Sequence, residues 1–205
     1  MAECGHDVGI AVEALRAGRI VVLPTDTVYG LAVLPESEQA VRELYALKGR
    51  GEAQPTALVA STVARLLELV PELGSSEQLL SALLPGAYTL VLSNPAGRYP
   101  WLCGPGAPTI GVRVPAVTGP GADVLAAVGS VAATSANLPG RPDPRRLPDV
   151  PDELRQGAAA AVDGGALPGT ASTVLDLSGP EPRVLREGAV PAAEALSRVR
   201  QAMIM

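Results

Sequence analysis

The stretch GRIVVLPTDTVYGLAVL, residues 18–34, holds two apolar runs of strand length on either side of a polar turn. Ile20 to Leu23 is apolar without interruption, the pattern of a strand buried on both faces, and residues 30–34 read as a second strand. Between them, Pro24-Thr25-Asp26-Thr27-Val28-Tyr29-Gly30 places two hydroxyls, a carboxylate and a phenol where the chain leaves the sheet. In open α/β sheets that is where ligands bind; an ordinary turn held by side-chain to backbone bonds has the same composition. Upstream, residues 9–17 have helical period and end at Gly18, and downstream Ser37 caps a helix that runs to Lys48. The alternation continues, with strands expected at 56–60, 88–92, 109–114, 129–134, 159–163 and 172–177 and helices at 61–70, 76–84, 121–128, 151–157 and 191–203. Short links mixed with helical crossovers predict an α/β fold with a mixed parallel and antiparallel sheet. The Pro- and Gly-rich segments 94–108 and 138–151 read as loops, the second as the more mobile.

With 205 residues and no shift in composition along the chain, one domain over 1–205 is expected. Apolar residues make up 47% and charged residues 18%, so the chain must fold around a core. Of the 16 basic residues only Lys48 is a lysine, and phenylalanine is absent, as a GC-rich coding sequence would give. A single histidine, His6, leaves no HExxH helix, no three-histidine metal site and no Ser-His-Asp triad. Cys4 and Cys103 lack CxxC spacing and read as buried or incidental thiols. The N-terminus has no signal-peptide pattern and no apolar run approaches about 18 residues, so a cytoplasmic protein is expected. A net charge of −5 argues against a broad nucleic-acid surface. Arg141, Arg145 and Arg146 form one local basic cluster, so any RNA contact is local or carried by a partner.

Val41, Leu44, Tyr45 and Lys48 fall at i, i+3, i+4 and i+7, which makes the one lysine the end of an apolar stripe. Lys48-Gly49-Arg50 then sets two cations around a glycine at a helix C-terminus, suited to anionic oxygens and equally to offsetting the helix dipole. In residues 109–114, alternation puts Ile110, Val112 and Val114 in the core, and Thr109, Gly111 and Arg113 on the other face. Thr109 and Arg113 would lie about 13 Å apart across a bare glycine floor; on an edge strand the arginine would instead face water. Thr134-Ser135-Ala136-Asn137 and Ala171-Ser172-Thr173-Val174 place small hydroxyl and amide side chains at strand ends, as caps or as ligand contacts. No P-loop and no GxGxxG after a strand is present.

In this order, GRIVVLPTDTVYGLAV (18–33), YALKGR (45–50), LLPGAYTLVL (83–92), PTIGVRVP (108–115), ATSAN (133–137), STVLD (172–176) and VLREG (184–188) resemble the YrdC-like family, the threonylcarbamoyl-AMP synthases. The resemblance covers about residues 9–190, followed by a C-terminal helix at about 191–203, and corresponds to a short form without an extra C-terminal domain. It implies a twisted mixed sheet with a large concave cleft, and a nucleotidyltransferase joining L-threonine, bicarbonate and ATP into threonylcarbamoyl-AMP with release of pyrophosphate. A partner transferase complex would pass the group to an adenosine of tRNA. By position, Lys48 and Arg50 resemble the family's catalytic, triphosphate-facing pair. Gln54, Thr109, Ser135, Asn137 and Arg186 resemble its other ATP contacts, and Thr27, Arg113, Ala133 and Ser172 its L-threonine contacts. Mg2+ would arrive with ATP, bridging phosphate oxygens, with no protein cage.

Attack of an N-carboxylated threonine on a phosphate brings two anions together and needs neutralisation and positioning more than a nucleophile, which this residue inventory supplies. The sequence departs from the family at Gly51, Gln54, Val59, Leu84 and Pro139. These departures leave open a divergent paralogue using another amino acid or a carbamoyl-adenylate. A non-catalytic RNA-binding module is a third reading, which the acidic balance disfavours.

Overall fold

The computed structural model describes residues 2–49, 51 and 54–204, the first five of these by backbone alone. In chain order the helices are α1 (Ala2–Arg16), α2 (Glu38–Lys48), α3 (Val63–Leu69), α4 (Glu77–Leu83), α5 (Pro100–Cys103), α6 (Pro120–Val128), α7 (Asp152–Gly157) and α8 (Ala192–Ile204). The strands are β1 (Val21–Pro24), β2 (Tyr29–Val33), β3 (Ala57–Ala60), β4 (Tyr88–Ser93), β5 (Thr109–Arg113), β6 (Ser130–Ser135), β7 (Ala160–Ala161), β8 (Thr173–Asp176) and β9 (Arg183–Arg186). They form one sheet in the order β7-β1-β2-β6-β3-β5-β4-β8-β9. The pairs β1–β7, β3–β5 and β4–β8 are parallel and the other five antiparallel, the mixed sheet that the sequence predicts.

The continuous run at Ile20–Leu23 is buried on both faces, with Ile20 and Val22 in one apolar cluster and Val21 and Leu23 in another. The larger cluster gathers Val41, Leu44 and Tyr45 of α2, Leu80 and Leu83 of α4 and Val199 of α8 against Leu31, Leu58, Leu90, Ile110 and Val112. The opposite face is covered by Ala11, Val12 and Leu15 of α1 and by Val124 and Leu125 of α6, which pack over β1, β2 and β6. These two helices stop short of β5, β4 and β8. That bare half of the sheet is the floor of a cleft.

Two expectations need correction. The strand expected at 159–163 shrinks to Ala160–Ala161 at the sheet edge, where alanines bury little and pair on one side only. The edge strand β9 has no expectation behind it, because Arg183, Leu185 and Arg186 are exposed and give no inward alternation. Likewise α5 forms inside the expected loop 94–108. The segment 138–151 is held by Tyr29 N donating to the Pro144 carbonyl (3.1 Å), Leu167 N to that of Arg145 (2.8 Å), and Asn137 Nδ2 to that of Arg141 (2.7 Å).

Tyr29 ties the core to the chain beyond β7. Its ring is fully buried, and its hydroxyl lies 2.9 Å from Asp163 Oδ1 and from the Gly165 carbonyl and accepts from Gly164 N at 2.9 Å. Burial, with Asp163 adding, pushes the phenol up to about 12. Tyr29→Phe keeps the ring and strands these partners, so we expect a loss of about 1–2 kcal/mol in a denaturant titration with an unchanged m-value.

Candidate functional site

Lys48 reaches the cleft because of its place on α2. Ser37 Oγ accepts Ala40 N at 3.2 Å to start the helix, and Gly49, at φ 63°, ends it in the left-handed conformation that glycine adopts without a Cβ penalty. The stripe Val41, Leu44, Tyr45 and Lys48 is buried as its spacing predicts, Lys48 to 6% exposure. The ammonium donates to Thr134 Oγ1 (3.1 Å), Ser135 Oγ (3.2 Å), Asn137 Oδ1 (3.0 Å) and the Ser135 carbonyl at the end of β6. Ser135 Oγ in turn donates to Asn137 Oδ1 at 2.7 Å. Gly30 lies opposite Ser135 in register, and a Cβ there would stand 3.1 Å from the Thr134 carbonyl oxygen.

The alternation in β5 holds. Ile110, Val112 and Val114 are core, while Thr109, Gly111 and Arg113 line the cleft. β5 lies between β3 and β4, so Arg113 is an interior arginine, not one on a wet edge. Its Nη2 donates to Asp26 Oδ1 and, at 2.8 Å, to Thr27 Oγ1. Asp26 Oδ2 also accepts Ala116 N at 3.0 Å. The two side chains of the ion pair are 11% and 8% exposed. Desolvation pulls the Arg113 guanidinium below its ordinary value, Asp26 opposes this and the Arg186 charge adds to it. Arg113 Nε is buried without a partner among the described residues.

Across the floor, Ser172 Oγ lies 2.8 Å from Thr89 Oγ1, and Arg186 Nη2 donates to the Ser172 carbonyl at 2.8 Å. The cleft encloses about 450 Å³, within the range of small-molecule sites. Lys48, Gln54, Thr109, Arg113, Ala133, Ser135, Asn137, Ser172 and Arg186 all line it. Arg50 lies outside the described residues. Thr27 differs: its side chain is fully buried behind Arg113 and is not part of the cleft wall. Sequence reasoning named Thr134 among the strand-end hydroxyls and passed over Thr89 and the pairing of Asp26. Thr89 was within reach, because the alternation used on β5, applied to Tyr88-Thr89-Leu90-Val91-Leu92, turns it to the same face. Among the described residues three cations and no carboxylate line the cleft, and no group of three His, Cys, Asp or Glu could hold a metal. No helix among these residues is long and apolar enough to cross a membrane.

A profile of the family described as telomere recombination, Sua5/YciO/YrdC, matches residues 13–188. The chain belongs to this family. A Mycobacterium tuberculosis relative is 35% identical over 184 residues, 88% of this chain and 83% of its own length. A Pyrococcus abyssi relative named threonylcarbamoyl-AMP synthase is 33% identical over 187 residues, 90% of this chain and 55% of that protein. The crystal structure of P. abyssi Sua5 complexed with L-threonine superposes with a TM-score of 0.84 at 31% identity, covering 93% of this chain and 56% of that one. E. coli YciO gives 0.78 at 28% identity, covering 89% of each chain. The chain therefore spans a little over half the length of the Pyrococcus protein. The expectations of a Sua5/YciO/YrdC fold and of an adenylate-forming transferase family are borne out.

Removing the counter-charge of Arg113 tests the buried pair. Asp26→Asn keeps the shape and leaves a buried guanidinium, so we expect a loss of about 3 kcal/mol, read as a lowered urea midpoint, with retained secondary structure.

Proposed function

We propose that this chain is a threonylcarbamoyl-AMP synthase, taking L-threonine, bicarbonate and MgATP to threonylcarbamoyl-AMP and pyrophosphate, in the cytoplasm, for transfer to tRNA by a partner transferase complex. The observation that carries this reading is a cleft with a lysine at one end, a buried arginine at the other and a glycine floor between them.

In this reading ATP lies across Gly111 with its phosphates toward Lys48. Thr109, Gln54, Ser135, Asn137 and Arg186 supply the remaining nucleotide contacts, and Arg50 follows Lys48 in sequence as a second phosphate cation. The amino acid lies at the other end, near Arg113, Ser172 and Ala133. A carbamate oxygen of N-carboxythreonine attacks the α-phosphorus, the bond from that phosphorus to the bridging oxygen breaks, and pyrophosphate leaves with the electron pair. That step moves no proton, while formation of N-carboxythreonine from the ammonium and bicarbonate beforehand releases one water and one proton to solvent; among the described residues the wall holds no histidine or carboxylate. Lys48 offsets charge on the phosphates, and the rest of the site holds the two anions in line. The donors of the wall are hydroxyls, amides and cations, so magnesium arrives as MgATP, held by phosphate oxygens and water.

One observation favours a second reading. Val59 lies beside Arg113 in register and lines the cleft, so the wall there offers a side chain no hydrogen bond. A paralogue using another amino acid would have such a wall.

Purified protein with MgATP and bicarbonate should release pyrophosphate only when L-threonine is added; release with another amino acid alone selects the paralogue. Lys48→Arg keeps charge but replaces the compact ammonium with a planar fork that cannot fit between Thr134, Ser135 and Asn137. Turnover should fall on the order of 100-fold, and near-normal turnover would remove Lys48 from the phosphate site. The floor is tested at Gly111, where a Cβ meets nothing nearer than 3.8 Å. Gly111→Ala should fold normally and weaken ATP binding only modestly, whereas Gly111→Leu should fold yet lose ATP binding in calorimetry.

A further inference from the structure

Thr89 stands on β4, and its two branches face different parts of the cleft. It pairs in register with Val174 of β8, which pairs in turn with Arg186 of β9. Its Cγ2 methyl points to the glycine floor, 3.8 Å from where a Cβ on Gly111 would lie, while its Oγ1 lies 2.8 Å from Ser172 Oγ. These two placements are one choice, because a β-branched side chain that fixes its methyl also fixes its hydroxyl.

The backbone of Ser172 is held from the other side. Thr173 Oγ1, which has no exposed surface, donates to the Val190 carbonyl and accepts Gly188 N at 3.0 Å and Val190 N at 3.1 Å. Ala189 N donates to the Ala171 carbonyl and Arg186 Nη2 to that of Ser172, each at 2.8 Å. Gly188 packs so closely that a Cβ there would stand 2.6 Å from the Ser172 carbonyl oxygen. What is left to settle at Ser172 is the torsion that aims its hydroxyl, which has three staggered wells. Arg186 Nη2 reaches that oxygen only at 3.4 Å, so Thr89 Oγ1 is its close partner. The two hydroxyls carry two protons, and the bond between them uses one. Whichever oxygen donates, one proton remains for an oxygen atom in the cleft.

We propose that Thr89 is a positioning residue for the amino-acid substrate and acts through Ser172. With the substrate bound, Thr89 donates to Ser172 Oγ, which selects the Ser172 rotamer and frees the serine proton for a substrate oxygen. Loss of the Thr89 hydroxyl leaves the serine to sample its other wells, and the cost falls on amino-acid affinity. The phosphates, held toward Lys48, do not register it.

This inference rests on the amino-acid end assigned under the proposed function. Its test is steady-state pyrophosphate release by wild type, Thr89→Val, Thr89→Ser and Ser172→Ala, together with Thr89→Val in the Ser172→Ala background. Valine has the shape of threonine and suits an interior strand, so Thr89→Val should fold, with a urea midpoint near that of wild type. It should raise the KM for L-threonine about fivefold, the worth of one neutral hydrogen bond, with kcat and the KM for ATP within about twofold. Thr89→Ser keeps the hydroxyl and should hold the threonine KM within about twofold of wild type. In the Ser172→Ala background Thr89→Val should add nothing, since residues that act as a unit are not additive. An unchanged threonine KM in Thr89→Val would overturn the inference, as would an equal rise in both KM values, which is the mark of a distorted floor. A full Thr89→Val effect in the Ser172→Ala background would overturn it too, by showing direct contact with the substrate. If another amino acid drives release by the wild type, the threonine assignment fails and the same comparison is made with that amino acid's KM. A wild-type protein whose pyrophosphate release needs no amino acid overturns the proposed function itself, and the inference with it.

Discussion

A positive charge on the face of an interior strand has to be answered by a negative one, and at Arg113 the answer comes from the far side of the sheet. Asp26 follows β1, which is four strands away from β5 in the order β1-β2-β6-β3-β5, about 19 Å at ordinary strand spacing. The pair closes only if the turn after β1 and the arginine side chain lean toward each other above β6 and β3. Asp26 also accepts Ala116 N, so the chain leaving β5 is drawn to the same point. It then enters α6, where Gly121 lies so close to Pro24 that a Cβ would come within 2.4 Å of its carbonyl oxygen. Desolvating a guanidinium costs several kcal/mol unless it is paired. One ion pair thus joins three pieces of chain and walls one end of the cleft.

Much of the architecture was legible because its signals are local. The doubly buried run at Ile20–Leu23, the stripe ending in Lys48 and the alternation of Thr109–Val114 each follow from a period of 2 or 3.6. What escaped has a physical cause in each case. β9 is an exposed edge strand with arginines at both ends, so its pairing with β8 is set by backbone bonds that carry no side-chain pattern. The Asp26–Arg113 pair spans 87 positions of sequence, and no periodicity relates them. Thr27 is a further case: a motif match puts it at the amino acid, and its side chain is fully buried with the hydroxyl 2.8 Å from Arg113 Nη2, a contact no periodicity foretells.

The two ends of the cleft hold their cations differently. Lys48 donates to neutral oxygens of Thr134, Ser135 and Asn137. Neutral acceptors can yield to phosphate oxygens without leaving a buried anion behind. Arg113 is ion-paired, so its net field is small and its worth lies in the direction of its remaining donors. Under the proposed function the site neutralises a triphosphate at one end and orients a single carboxylate at the other, which calls for that division.

The same division accounts for an acidic protein with a cationic cleft. Net charge acts at long range, where at physiological salt the screening length is about 8 Å. Inside a cleft walled by apolar sheet residues such as Val59, Val91 and Val174, screening is weaker and nearby charges dominate. Among the described residues of the wall Lys48, Arg113 and Arg186 are the charged ones, and the nearby Asp26 is committed to Arg113. The surface can then carry the net charge of −5 while the cleft attracts anions. Scarcity of lysine makes the point sharper. Among 16 basic residues the single ammonium is the one set at the end of a buried stripe, where a compact charge can be enclosed by three neighbouring side chains and a guanidinium cannot.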